Sequence, residues 1–231
     1  MRLWTLTHEA GALLRQAPLL TRALGRRLPG SEAEDRDVVV LLHGFCATAG
    51  VFDPLERRLE RGGSVPLASF TYGPIRTFPS LVDELAECLA RLPRSCRIHL
   101  VGHSLGGVLA RWYVQELGDP RVKSTVSLAS PFFGTKLAAR LPGSLTREMR
   151  PESPRLRVLL DVARIDAADV PHTSFVAMAD SVVIPNHSAA FPRGAVHYVP
   201  GVGHNGILFR GQTLDQVASL VRGSGPASGA V

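Results

Sequence analysis

The chain predicts an α/β fold, a mostly parallel central sheet with helices on both faces. Three observations lead there. Apolar runs of strand length alternate with stretches of helical period. Val38-Val39-Val40-Leu41-Leu42 has no polar face, as a central parallel strand buried on both sides requires. The run Arg97–Val101 passes through Gly102-His103-Ser104-Leu105-Gly106-Gly107 directly into an apolar helical stretch, Leu105–Leu117. A strand that turns into a helix within so few residues reads as a βα unit of a parallel sheet.

The elements follow in order. Residues 8–28 place Leu13, Leu14, Leu19, Leu20, Leu24 and Leu28 among four arginines, and Pro18 interrupts them. They predict two short helical pieces or one kinked helix, packed on the main body, with contact to a lipid surface as the alternative. Residues 1–30 are thus expected to form an N-terminal helical extension and residues 31–222 a single domain. After the strand ending at Leu42 come a helix over Phe52–Arg61, a short strand over Leu67–Thr71 and a helix over Ser80–Leu92, with Pro79 near its start. Gly118-Asp119-Pro120 stops the Leu105–Leu117 helix. Val122–Ala129, Thr173–Met178 and Ala195–Val199 complete the strands, and Gln212–Val221 is the last helix. Residues 223–231 are small, a flexible tail.

One interval stands apart. Between Ser130 and His172 there is no convincing strand, five prolines and a single predicted helix, Leu156–Arg164. So long an insertion in a compact sheet fold is usually functional. Residues 137–171 are therefore expected to form a lid or cap, with Leu137, Leu141, Leu145, Leu156, Leu159 and Leu160 covering a pocket.

Composition narrows the function. At 231 residues and 45% hydrophobic, the chain can bury one substantial core. No apolar stretch approaches the roughly 18–20 residues that span a bilayer. The first apolar residues are interrupted by His8, Glu9 and Arg15 with no cleavage site after them, which predicts a cytoplasmic protein. Cys46, Cys88 and Cys96 lack CxxC spacing and make an odd count, which argues against a disulfide framework, while a single Cys88–Cys96 bridge stays open. No metal-ligand constellation is present. The net charge of +6 comes from scattered arginines mixed with Asp and Glu, without a basic run interleaved with aromatics. That argues for a solvated surface and against a nucleic-acid partner, with attraction to anionic lipid second.

Ser104 carries the chemistry. A serine between strand and helix, with glycines two positions to either side, has the form of a nucleophile elbow, a turn so sharp that side chains at the flanking positions would strike backbone. Serine is a poor nucleophile alone, so it needs a base, an acid to orient the base, and donors for the oxyanion. His204 lies in Gly201-Val202-Gly203-His204, after the last strand, and Asp180 directly follows the strand before it. The order Ser104, Asp180, His204 is that of the nucleophile–acid–histidine hydrolases and of neither main serine protease class. His43-Gly44-Phe45 follows the first strand, so the N–H groups of Phe45 and Leu105 are the expected oxyanion donors. No cofactor or metal is called for.

These pieces together resemble the α/β-hydrolase superfamily, in particular bacterial lipases and esterases of the triacylglycerol-lipase kind. The matching segments are VVVLLHGF at 38–45, LVGHSLGG at 100–107, SLASPFFGT at 127–135, MADSVVIP at 178–185 and GVGHNGIL at 201–208. The likeness covers most of residues 37–221, and residues 1–30 match nothing recognisable. It implies an α/β-hydrolase fold and a serine hydrolase that cleaves carboxylic esters of lipid-like or apolar acyl groups through an acyl-serine intermediate. It also strengthens Asp180 as the triad acid through the form Asp-x-Val-Val-x-Pro. A thioesterase or acyltransferase would use the same triad, and a non-catalytic binding protein on this fold is a further alternative. Among rival residues, His43 is expected to brace the oxyanion loop, His103 to point away from the Ser104 side chain, and His197 to be a packed strand residue. His187 is the other competing base. Asp161, Asp166 and Asp169 read as solvated charges, Asp215 as a surface or capping residue, and Cys46 as a small packing residue.

Overall fold

A computed structural model describes residues 28–223 except Gly62 and Ser64. The expected N-terminal extension, apart from its last residues, and the tail therefore lie outside the described part. Six strands form one sheet: β1 (Asp37–Leu42), β2 (Leu67–Phe70), β3 (Arg97–His103), β4 (Val122–Leu128), β5 (His172–Ala177) and β6 (Ala195–Val199). Every neighbouring pair is parallel, in the order β2-β1-β3-β4-β5-β6. From β1 the chain steps outward to β2, then returns across β1 to β3 and continues the other way. The loops after β1 and β3 consequently part at the carboxyl edge and open a crevice there, where open α/β sheets hold their ligands.

The helices are α1 (Asp53–Arg61), α2 (Phe78–Ala90), α3 (Leu105–Leu117), α4 (Ser144–Glu148), α5 (Pro154–Leu159), α6 (Val162–Ala168) and α7 (Gly211–Val221). The unbroken apolar run of β1 is explained by its two faces. Val38, Val40 and Leu42 enter the core shared with α2, α3 and the segment α4–α6, while Val39 and Leu41 enter the core under α1 and α7. Asp215 of α7 joins Arg58 of α1 at 2.8 Å on the outside of that second layer.

Several element limits differ from the expected ones for local reasons. Helix α2 begins at Phe78, because Thr77 and Ser80 cap each other: Thr77 Oγ1 accepts the Ser80 N–H at 3.3 Å and Ser80 Oγ accepts the Thr77 N–H at 3.2 Å. The single helix expected over Leu156–Arg164 is two. The Asp161 carboxylate accepts the Arg164 N–H at 3.2 Å and starts α6 afresh, so this acid is a cap. All three cysteines are free, Cys88 and Cys96 both buried. Among the described residues no helix is long and apolar enough to cross a membrane.

Candidate active site

The turn between β3 and α3 is as tight as its glycines suggest. A Cβ at Gly106 would lie 2.0 Å from the Leu42 carbonyl oxygen, and one at Gly102 would lie 2.3 Å from the Gly107 nitrogen. Between them Ser104 holds φ 53° and ψ −122°, a left-handed conformation that few residues other than glycine adopt. Its N–H donates to the Leu128 carbonyl at 2.9 Å, which ties the elbow to the end of β4.

Asp180 and His204 meet. The Asp180 Oδ2 atom accepts the Nδ1–H of His204 at 2.8 Å, with both side chains almost fully buried. Its Oδ1 accepts the N–H groups of Val182 at 2.7 Å and Val183 at 2.8 Å. The carboxylate thus stands against three donors, and the proton of His204 is held on Nδ1, leaving the Nε2 lone pair free to accept. The Ser104 hydroxyl makes no hydrogen bond among the described residues, an arrangement usual before a substrate tightens such a site.

His103, expected only to point away from the nucleophile, has a further part. Its Nε2–H donates to the His204 carbonyl at 3.0 Å, and the two rings lie 4.8 Å apart. The residue just before Ser104 therefore holds the loop that carries His204. Burial, with the nearby His204 second, pushes the His103 imidazole down to about 3, so the ring is neutral and its Nδ1 is a buried acceptor without a partner. His43 braces the loop after β1 as expected. Its Nε2 accepts the Tyr72 N–H at 3.0 Å, which places its own proton on Nδ1, and that proton goes to the Gly44 carbonyl at 2.7 Å. The Tyr72 hydroxyl donates to the His43 carbonyl at 2.6 Å, and the rings stack at 4.1 Å. Burial pushes His43 down to about 4.

The braced loop lies over the elbow: a Cβ at Gly44 would sit 3.0 Å from the Ser104 Cβ. Phe45, Ser104 and Leu105 stand together in the wall of one cavity of about 80 Å³. Its other walls are Pro131 and Thr135 from the turn after β4, Leu137, Leu141, Leu145 and Met149 beyond it, and Val182 and Val183 from the Asp180 loop. Thr135 is a residue whose part the sequence did not disclose, although it lies in the SPFFGT segment. Its Oγ1 donates to the Val182 carbonyl at 2.5 Å and accepts the Ile184 N–H at 3.0 Å. Thr135 thereby fixes the loop whose N–H groups hold the Asp180 carboxylate. Of the six leucines expected over the pocket, Leu156 and Leu159 instead pack in the main core, while Leu137, Leu141 and Leu145 reach the cavity.

The rival residues have other surroundings. His197 stacks on Phe175 at 4.9 Å in β6, and His187 is exposed. Asp166 pairs with Arg193, and Asp169 ends α6. Cys46 does not pack; it is exposed, on a left-handed backbone beside Phe45. Among the described residues no cluster of His, Cys, Asp and Glu has the form of a metal site.

The buried neutral imidazoles carry a stability prediction. His43, His103 and His172, the last bonded to Thr125 at 2.7 Å, are all held below the ordinary value of 6.5 chiefly by burial. Each is harder to protonate folded than unfolded, so their contribution is fully present above about pH 6.5 and is lost as pH falls toward the folded values. Near pH 5 unfolding should take up about two protons at His43 and His103, a loss of about 2.5 kcal/mol per pH unit, with His172 adding to it in the same direction. Urea unfolding between pH 7 and 4.5 measures it; a flat midpoint across that range would contradict the burial argument.

Comparison with known proteins agrees with this architecture. No sequence among curated proteins matches the chain. Among solved structures, one described with LipS and LipT, two metagenome-derived lipolytic enzymes, superposes with a TM-score of 0.66 at 14% identity, over 87% of this chain and 98% of the other. An esterase from Pyrobaculum calidifontis gives 0.61 at 18% identity, over 96% and 92%. Est1E from Butyrivibrio proteoclasticus gives 0.60 at 15% identity, over 86% and 93%. Identities this low speak for the fold alone. The sequence match is more direct, since residues 39–179, from β1 to the residue before Asp180, fit the alpha/beta hydrolase family. The chain belongs to that family.

Proposed function

We propose that the protein hydrolyses carboxylic esters with apolar acyl groups through an acyl-serine intermediate. The observation that carries this reading is the Asp180–His204 pair, held in one tautomer on a loop tied to the residue before Ser104. His204 Nε2 takes the Ser104 proton as Oγ attacks the ester carbonyl. Asp180 keeps the ring oriented and stabilises the imidazolium that forms. The oxyanion is received by the N–H groups of Phe45 and Leu105, the second at the N-terminus of α3, whose dipole favours negative charge. The alcohol leaves with the proton from His204, and water, activated by the same imidazole, releases the acid. No cofactor enters any step. The esterases and lipolytic enzymes named above are consistent with an ester as the small-molecule substrate.

The experiment is partitioning. With p-nitrophenyl butyrate and phenyl butyrate as substrates and methanol added, one common acyl-enzyme gives the same ratio of methyl butyrate to butyrate from both. Ratios that depend on the leaving group, or no turnover of either ester, would overturn the proposal.

A further inference from the structure

We infer that the segment from Lys136 to Ala168 is a fixed cap that ends the acyl site after a few carbons, making short-chain acyl esters the preferred substrates. This rests on the reading of Ser104 as the nucleophile of an esterase. Two independent observations support it, the size of the cavity and the way its outer wall is fastened.

The cavity lined in part by Ser104 measures about 80 Å³ and is almost wholly apolar. A cavity of roughly 150 Å³ takes up a benzene ring, so this one accommodates an acyl chain of only a few carbons. Ala138, Leu145 and Met149, all from the segment after β4, are among its lining residues. Leu145 and Met149 are themselves members of the main hydrophobic core, so the cavity does not deepen without unpacking that core.

The wall is also fastened to the body on several sides. The Thr135 N–H donates to the Met149 carbonyl at 2.8 Å, and a Cβ at Gly134 would lie 2.5 Å from the Pro151 nitrogen, so the turn after β4 is pressed against the cap. Ser144 Oγ donates to the Arg76 carbonyl at 2.9 Å in the loop after β2. Gln115 of α3 donates to the Leu159 carbonyl at 3.1 Å. The Arg155 guanidinium lies 4.8 Å from the rings of both Phe78 in α2 and Trp112 in α3. Leu145, Leu156 and Leu159 are each 1% exposed. A lid that swings away on meeting lipid keeps its apolar face toward a removable surface. Here that face is interleaved with α2 and α3, and opening it would expose core. Chain length is then set by a rigid boundary, and Ala138 and Met149 are the residues that position it.

The test is the ratio of kcat/KM for p-nitrophenyl esters of graded acyl length, each kept below its solubility limit. A ratio between two substrates does not change when a variant merely folds less completely. In the parent, kcat/KM should rise about fourfold per methylene while the chain still finds room, as burying a methylene dictates. It should peak at or before the six-carbon ester and fall at least tenfold by the ten-carbon ester. Met149→Ala should raise the decanoate-to-butyrate ratio at least tenfold. Ala138→Val, which fills the same end, should lower the hexanoate-to-acetate ratio. A parent that prefers decanoate, or ratios that neither variant moves, would overturn the fixed boundary. So would a rate on tributyrin that jumps at its solubility limit. No hydrolysis of any ester at any length would instead fail the underlying reading of the site.

Discussion

Replacing Ser104 with alanine is expected to lower kcat for p-nitrophenyl butyrate by about 10⁶-fold while leaving the fold intact. The chemical reason is that alanine carries no hydroxyl, so the proposed acyl-serine cannot form. The structural reason is that alanine keeps every feature of the elbow. The left-handed backbone at φ 53° already accommodates a Cβ, the N–H bond to Leu128 belongs to the main chain, and the clashes that forbid side chains concern Gly102 and Gly106. The thermal midpoint should therefore stay within a few degrees of the parent. A loss of less than about tenfold in kcat, in protein free of contaminating esterase, would remove Ser104 from its proposed role.

Asp180→Asn is the second large effect, about 10⁴-fold in kcat. It works through orientation. Two backbone N–H groups, from Val182 and Val183, point at one carboxylate oxygen. An asparagine there must turn its carbonyl oxygen toward them, since its amide nitrogen would oppose two donors. The amide NH₂ then faces His204 Nδ1, which has to become an acceptor. The proton moves to Nε2, and the imidazole can no longer take one from Ser104. The loss should appear in kcat with KM nearly unchanged, and the urea midpoint should move far less than activity does. Comparable losses in kcat and in stability would mean that Asp180 acts by holding its loop together.

How far the sequence could be read depended on how local each cause was. The sheet was legible because β1 is buried on both faces and shows this as an unbroken apolar run. That Ser104, Asp180 and His204 each follow the end of a strand was legible because turns at the carboxyl edge of a parallel sheet come directly after its apolar runs. The break at Asp161 was missed because an aspartate inside an apolar helical period looks like a solvated charge until its carboxylate is found on the Arg164 N–H. The roles of His103 and Thr135 depend on partners far along the chain, the His204 carbonyl and the Val182 carbonyl. No local pattern encodes such pairings. The six leucines expected over the pocket gave a similar result. Their place in a long insertion suggested a pocket cover, but Leu156 and Leu159 bury into the core rather than the cavity, and only the packing of α5 on α3 distinguishes the two.

The central claim is that Ser104 is an activated nucleophile, its activation supplied by His204 and Asp180. The most direct measurement is the rate and site of covalent labelling by a fluorophosphonate, followed by peptide mass spectrometry. It requires no knowledge of the natural substrate. One label per chain is expected, on Ser104, with the rate cut at least a hundredfold by His204→Ala and by Asp180→Asn. Label on another residue, or equal labelling rates in the parent and the His204→Ala variant, would contradict it.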